Sequence, residues 1–127
     1  LADETKAQNV FAFDLWIPAS ENYARIKANQ LEEKVIPIHG DALDMPFAQE
    51  YFDAIVSVDT YHYFGCKKGV FGEKILPFVK EGGYVMIAIP GLKEYPEGDL
   101  KELFTTWADG GDWELFQTAE IKMVRLM

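Results

Sequence analysis

The stretch Val35–Gly65, VIPIHGDALDMPFAQEYFDAIVSVDTYHYFG, constrains the fold more than any other part of the chain. It holds two apolar runs, and each ends in a polar crossing. Val35 to Ile38 empties into Gly40-Asp41-Ala42, and Phe52 to Val58 empties into Asp59-Thr60-Tyr61-His62. Half-buried strands alternate apolar and polar residues. These runs are too continuously apolar for that and predict strands covered on both faces, as in a parallel sheet. In such sheets ligands bind at the carboxyl ends of the strands, where these acids stand. The chemistry of the chain is expected there.

The remaining segments extend the same pattern. Val10-Phe-Ala-Phe13 is apolar and ends at Asp14, which predicts a buried strand with a carboxylate at its tip. Pro18 and Ser20 open a helix carrying Tyr23, Ile26 and Leu31, with Ser20 as the expected N-cap. The second strand is Val35 to His39, and Pro37 within it favours a place near a sheet edge. Asp41 to Tyr51 reads as a crossing loop from which Phe47 packs back on the core, and Phe52 to Val58 is the third strand. From Lys67 to Lys80, apolar residues at 71, 75, 78 and 79 have helical spacing, with Pro77 expected to kink the segment. Glu81-Gly82-Gly83 reads as a helix stop and Tyr84 to Ile89 as the fourth strand. Strands separated by helices predict crossover units, an α/β fold with a mostly parallel sheet and flanking helices.

Beyond Pro90 the character changes. Lys93 to Asp112 is charged and punctuated by glycine, with Phe104, Trp107, Trp113 and Phe116 as aromatic islands that serve either as packing or as a lid over the strand ends. Asp99 to Trp107 is expected as a helix capped by Asp99, and Ile121 to Met127 as a short helix or strand.

Length and charge narrow the function classes. At 127 residues the chain is expected to be one domain or part of one, with a core over 1–91 and a substrate-side or lid segment over 92–127. The 21 acids against 12 bases give a net charge of -9, which argues against nucleic-acid partners and a polybasic membrane anchor. No run approaches the roughly 18 apolar residues of a membrane span. Leu1 to Lys6 lacks the apolar core of a secretory signal, and Cys66 is the sole cysteine, so no internal disulfide forms. A cytoplasmic setting is the expectation, and the oligomeric state stays open, a homo-oligomer included.

Three polar clusters carry the candidate chemistry. Asp14, just past a strand, can accept both hydroxyls of a ribose or cap a turn. Asp41 can accept from an adenine amine while the Ala42 N–H donates to a ring nitrogen, or it can close an Asx-turn. In Asp59-Thr60-Tyr61-His62, the histidine is the candidate proton acceptor, or a packed bystander. Tyr63 and Lys67 formally match the Tyr-x-x-x-Lys pair of short-chain dehydrogenases, but Gly65 interrupts the segment. His39, His62 and Cys66 lack regular ligand spacing, so no metal site is expected.

Taken together, FAFDLW, HGDALDMPFAQEYFDAIVSVDTYHYFG and LPFVKEGGYVMIAIPG resemble the class I S-adenosylmethionine-dependent methyltransferases, specifically the small-molecule subgroup called methyltransferase type 11, from about Val10 to Gly91. The middle piece is the specific one. The resemblance implies a Rossmann-like fold, S-adenosyl-L-methionine as cofactor and methyl transfer to a small-molecule substrate. It implies that Asp14 holds the ribose hydroxyls with Leu15 and Trp16 beside the adenine, and that Asp41 and Ala42 read the adenine edge. Asp59 would border the methionine part of the cofactor, and Tyr61, His62 and Tyr63 would line the reaction pocket, with His62 as the candidate base.

Family members also carry a first strand ending in an acidic residue and a glycine-rich turn. No such element precedes Val10, and the final antiparallel strands of the family are not legible, so a partial domain truncated at both ends is expected. Two alternatives stay open: a fragment of an NAD-dependent oxidoreductase, in which Asp14 would hold the ribose of that cofactor, and a non-catalytic methyltransferase-like binding module.

Overall fold

A computed structural model describes residues 2–65, 67–89 and 97–99, and the backbone of 121–125. The chain divides into two compact units, Leu1–Met45 and Pro46–Met127.

The first unit is a β-α-β crossover. Strand β1 is Val10–Asp14, helix α1 is Ala19–Ala28 and strand β2 is Val35–His39. β1 and β2 pair in parallel over five residues, from Val10 opposite Val35 to Asp14 opposite His39. Pro37 is tolerated because β2 pairs with β1 alone among the described strands. Ser20 is not the N-cap. Pro18 takes that position, with φ near -56°, and its carbonyl accepts from the N–H groups of Glu21 and Asn22 at 3.0 and 3.1 Å. Proline at a helix start lacks only an N–H that would have had no intrahelical partner. The helix stops at Ala28, short of Leu31, because Gln30 is left-handed at φ 58°. Glu21 in the first turn and Arg25 and Lys27 in the last suit the helix dipole.

The second unit is a mixed three-stranded sheet in the order β3-β4-β5, with β3 Phe52–Val58, β4 Val79–Ala88 and β5 Ile121–Arg125. β3 and β4 are parallel, and β5 runs antiparallel to β4 from Tyr84 opposite Arg125 to Ala88 opposite Ile121. Val79 and Val85 of β4 are buried, together with Ile75 and Tyr61. Phe47 packs as expected, edge-on to Phe52 at 4.7 Å between ring centroids.

Three expectations are corrected in this unit. Lys67 to Lys80 forms no regular α-helix. A π-type turn covers Phe71–Ile75, a 3₁₀ turn covers Leu76–Phe78, and β4 has begun by Val79. Pro77 explains the break, since it cannot donate to the preceding turn. Glu81-Gly82-Gly83 does not stop a helix. It lies inside β4, where the pairing jumps from Phe52–Val79 to Ala54–Tyr84. This bulge needs both glycines, because Gly82 is left-handed at φ 76° and a Cβ on Gly83 would lie 2.8 Å from the Asp53 carbonyl oxygen. Finally, β3 is not covered on both faces, for Val56 and Val58 are exposed. The described residues of this unit include no α-helix to cover them.

The helix expected over Asp99 to Trp107 and the aromatic islands at Phe104, Trp107, Trp113 and Phe116 lie outside the described residues, apart from Asp99 itself.

Candidate functional site

In the first unit the parallel register brings the expected residues to one end. Asp14 closes β1 and His39 closes β2 opposite it, so Gly40, Asp41 and Ala42 follow beside the turn Leu15–Ile17. The Gly40 N–H continues the ladder by donating to the Asp14 carbonyl at 2.9 Å. Gly40 leaves room for the Phe13 ring, since a Cβ there would lie 2.8 Å from Cζ of Phe13 and the ring would have to shift.

Both carboxylates close their own turns through one oxygen. Asp14 Oδ1 accepts from the N–H groups of Trp16 and Ile17 at 2.8 and 2.9 Å. Asp41 Oδ1 accepts from the Leu43 N–H at 2.8 Å, and its carbonyl accepts from the Asp44 N–H at 3.0 Å. The two backbone donors from Ile17 and Trp16 hold the Asp14 carboxyl below its ordinary range, against a smaller opposing effect of burial and with help from Asn22 and His39. Asp14 is therefore an ionised, acceptor-only group at neutral pH. Beside it Leu15 is 52% exposed and Trp16 72% exposed, so two large apolar side chains face solvent next to a carboxylate.

Sequence reasoning weighed His39 only as a metal ligand. Its Nε2 lies 2.8 Å from the Leu15 carbonyl oxygen. A carbonyl accepts only, so Nε2 carries the proton. The signal was present in the strand lengths, because two parallel strands of equal register place their last residues side by side.

In the second unit β3 runs out at Asp59, whose N–H donates to the Ala88 carbonyl at 2.8 Å while its φ of 53° turns the chain sharply. Aspartate tolerates this left-handed conformation better than most residues. A 3₁₀ turn over Tyr61–Tyr63 follows. Tyr61 is buried, with the Gly65 backbone folded over its ring and Phe64 edge-on at 5.3 Å. His62 is buried as well, and Tyr63 lies against it at 4.2 Å between ring centroids with half its surface in solvent. Burial lowers the His62 pKa and outweighs the attraction of the Asp59 carboxylate, which raises it. The imidazole is neutral at pH 7 and so has a ring nitrogen able to accept a proton. Tyr63 and Lys67 do not share a helix face, since the 3₁₀ turn ends at Tyr63 and Gly65 intervenes. Among the described residues no group of three His, Cys, Asp or Glu could hold a metal ion, and no helix is long and apolar enough to cross a membrane.

Comparison with known proteins bears on the family and the fold. The family model described as "Methyltransferase domain" matches residues 1–87. A crystal structure from Bacillus halodurans, described as that of a "putative methyltransferase", is 28% identical over 76% of this chain and 40% of its own, with a TM-score of 0.57. A geranyl diphosphate methyltransferase solved with S-adenosylmethionine is 17% identical over 77% of this chain and 40% of its own, at a TM-score of 0.61. A phosphoethanolamine N-methyltransferase of Haemonchus contortus, also solved with S-adenosylmethionine, is 16% identical over 83% of this chain and 30% of its own, at 0.53. At such identities the last two show the fold alone. The chain thus spans 30–40% of the length of these structures. No curated protein matches it at a significant level. With more than half of its residues matched by the family model, the chain belongs to the methyltransferase domain family (type 11), within the class I S-adenosylmethionine-dependent methyltransferases.

Proposed function

We propose that the chain takes part in S-adenosylmethionine-dependent methyl transfer to a small-molecule acceptor in the cytoplasm. The observation that carries this is the first unit's strand end. Asp14 and Asp41 stand at the tips of two parallel strands, each with one oxygen engaged by its own turn, and Leu15 and Trp16 are exposed beside Asp14.

The donor set fits the nucleoside half of the cofactor. An ionised carboxylate accepts from the vicinal hydroxyls of a ribose, and Asp14 is ionised and oriented by its turn. Leu15 and Trp16 flank the adenine, while Asp41 and the Ala42 N–H meet its edge. In the second unit, taken by itself, the family resemblance assigns Asp59 to the methionine part of the cofactor and Tyr63 to the substrate, with Tyr61 packed beneath the same turn. The cofactor, when bound, supplies an electrophilic methyl group on its sulfonium. The protein's part is to position the acceptor, exclude water and remove a proton. His62, kept neutral by burial, takes that proton at an imidazole nitrogen. The net charge of -9 favours a small substrate over an anionic polymer, and a single cysteine suits a reducing compartment.

Calorimetric titration of S-adenosylhomocysteine into the protein tests this proposal. Saturable binding at a roughly micromolar Kd, weakened about tenfold or more by Asp14→Asn, is the expected result. The asparagine keeps an oxygen for the Trp16 and Ile17 N–H groups while losing the charge. Absence of binding by the folded protein, or an unchanged Kd in Asp14→Asn, would overturn it.

A further inference from the structure

We propose that His39 is a positioning residue for the adenine side of this site: its Nε2–H holds the Leu15–Ile17 turn at the Leu15 carbonyl and so fixes the backbone from which Leu15 and Trp16 project. The inference rests on the cofactor assignment above and adds a residue to it.

The turn after β1 is tied at successive atoms. The Gly40 N–H holds the Asp14 carbonyl at 2.9 Å, His39 Nε2 holds the Leu15 carbonyl at 2.8 Å, and Asp14 Oδ1 holds the Trp16 and Ile17 N–H groups. Two of these ties are strand and turn chemistry that many residue sequences provide. The His39 bond is different, since it is a side-chain bond across two strands, from the residue just before Gly40-Asp41-Ala42. His39 is exposed, so core packing does not account for its place. What it secures is also exposed: Trp16 at 72% and Leu15 at 52%.

Large apolar side chains left in solvent on a backbone held at consecutive positions form a preorganised surface for a flat apolar ring. Preorganisation raises affinity by lowering the ordering cost on binding. His39 therefore links the two adenine-facing segments, the Leu15–Trp16 turn and the Asp41–Ala42 turn, through one imidazole.

The experiment compares the wild-type protein with His39→Phe, which keeps a ring and loses the donor, and His39→Gln, whose amide Nε2 sits near the same reach. Amide hydrogen exchange at Trp16 and Ile17 reads the turn, and titration with S-adenosylhomocysteine reads the ligand. His39→Phe is expected to speed exchange and weaken binding by about three- to tenfold each, the equivalent of one lost hydrogen bond. His39→Gln is expected to restore both to within about twofold. Faster exchange in His39→Phe with an unchanged Kd would reduce His39 to a structural tie and overturn the positioning role. Unchanged exchange in both variants would overturn the tie itself. Should the wild-type protein fail to bind, the cofactor assignment falls and takes the ligand-facing part of this proposal with it. The exchange data still decide whether His39 holds the turn.

Discussion

Gly65→Ala tests how the Tyr61–Tyr63 turn is built. An ideal Cβ on Gly65 would overlap Cζ, Cε1 and Cε2 of Tyr61. Carbon atoms settle at about 3.5–4.0 Å, so ring and methyl must separate by more than about 1 Å. The ring has little room to do so. Tyr61 is 5% exposed and edge-on to Phe64, and the Gly65 N–H is tied to its carbonyl at 2.7 Å. Overpacking relieved by a local backbone shift costs about 1–3 kcal/mol, while outright loss of a buried aromatic costs about 3–5 kcal/mol. A destabilisation of about 2–4 kcal/mol is therefore expected, a large share of a small domain's stability. Urea unfolding of Gly65→Ala, Tyr61→Ala and the double variant measures it. Removing the ring removes the three nearest contacts of the alanine, so its cost should fall by more than about 1 kcal/mol, giving a coupling well above the few tenths expected of independent sites. Equal costs of Gly65→Ala in the two backgrounds would refute the packing argument.

Two further outcomes follow from neighbouring residues. Burial lowers the His62 pKa, so the unfolded chain binds a proton there that the native one does not, and its stability contribution is full above the ordinary imidazole value, near 6.5, and is lost as pH falls toward the lower native value. His62→Gln should flatten the pH dependence of unfolding free energy as pH falls below the ordinary imidazole value, and an unchanged slope there would show that the histidine is not desolvated. Gly83→Ala should destabilise by about 1–3 kcal/mol in the same urea assay, because its Cβ would meet the Asp53 and Lys80 carbonyl oxygens at 2.8 and 2.9 Å, whereas Gly72→Ala, with nothing within 4 Å, should be neutral or better. Similar costs for both would disprove the bulge as the reason for Gly83.

The two strands read from the central stretch have the bounds expected of them, Val35–His39 and Phe52–Val58, because apolar runs that stop at glycine or acid leave little choice of end. The segment after Gly65 misled because its apolar spacing is helical while Pro77 removes the donor a helix needs, and because Gly82-Gly83 serves a bulge as well as a helix end. β5 was not separable from a helix locally. Its identity comes from pairing with β4, a contact across more than thirty intervening residues. Among the candidate site residues, the turns closed by Asp14 and Asp41 were legible from residue type and position, whereas the His39–Leu15 bond was not, since it depends on which residue lies opposite in the register.

For Asp14, turn-closing and ligand-binding readings reinforce one another. Its turn supplies two N–H donors to one oxygen, which favour the charged form and fix the carboxylate plane. A protonated or freely rotating carboxyl would be a poor acceptor for two hydroxyls of fixed spacing. The bonds that make Asp14 an ordinary turn residue are therefore also ones that suit the diol-acceptor role proposed for it. The same economy holds after β3, where Asp59 keeps its N–H in the ladder with Ala88 and absorbs the left-handed φ that turns the chain. That single conformation separates the end of the sheet from the turn in which Tyr61 is pinned by Gly65 and His62 is kept out of water. Backbone strain at a strand end, carried by a residue that tolerates it, thus sets up the turn in which burial keeps His62 neutral.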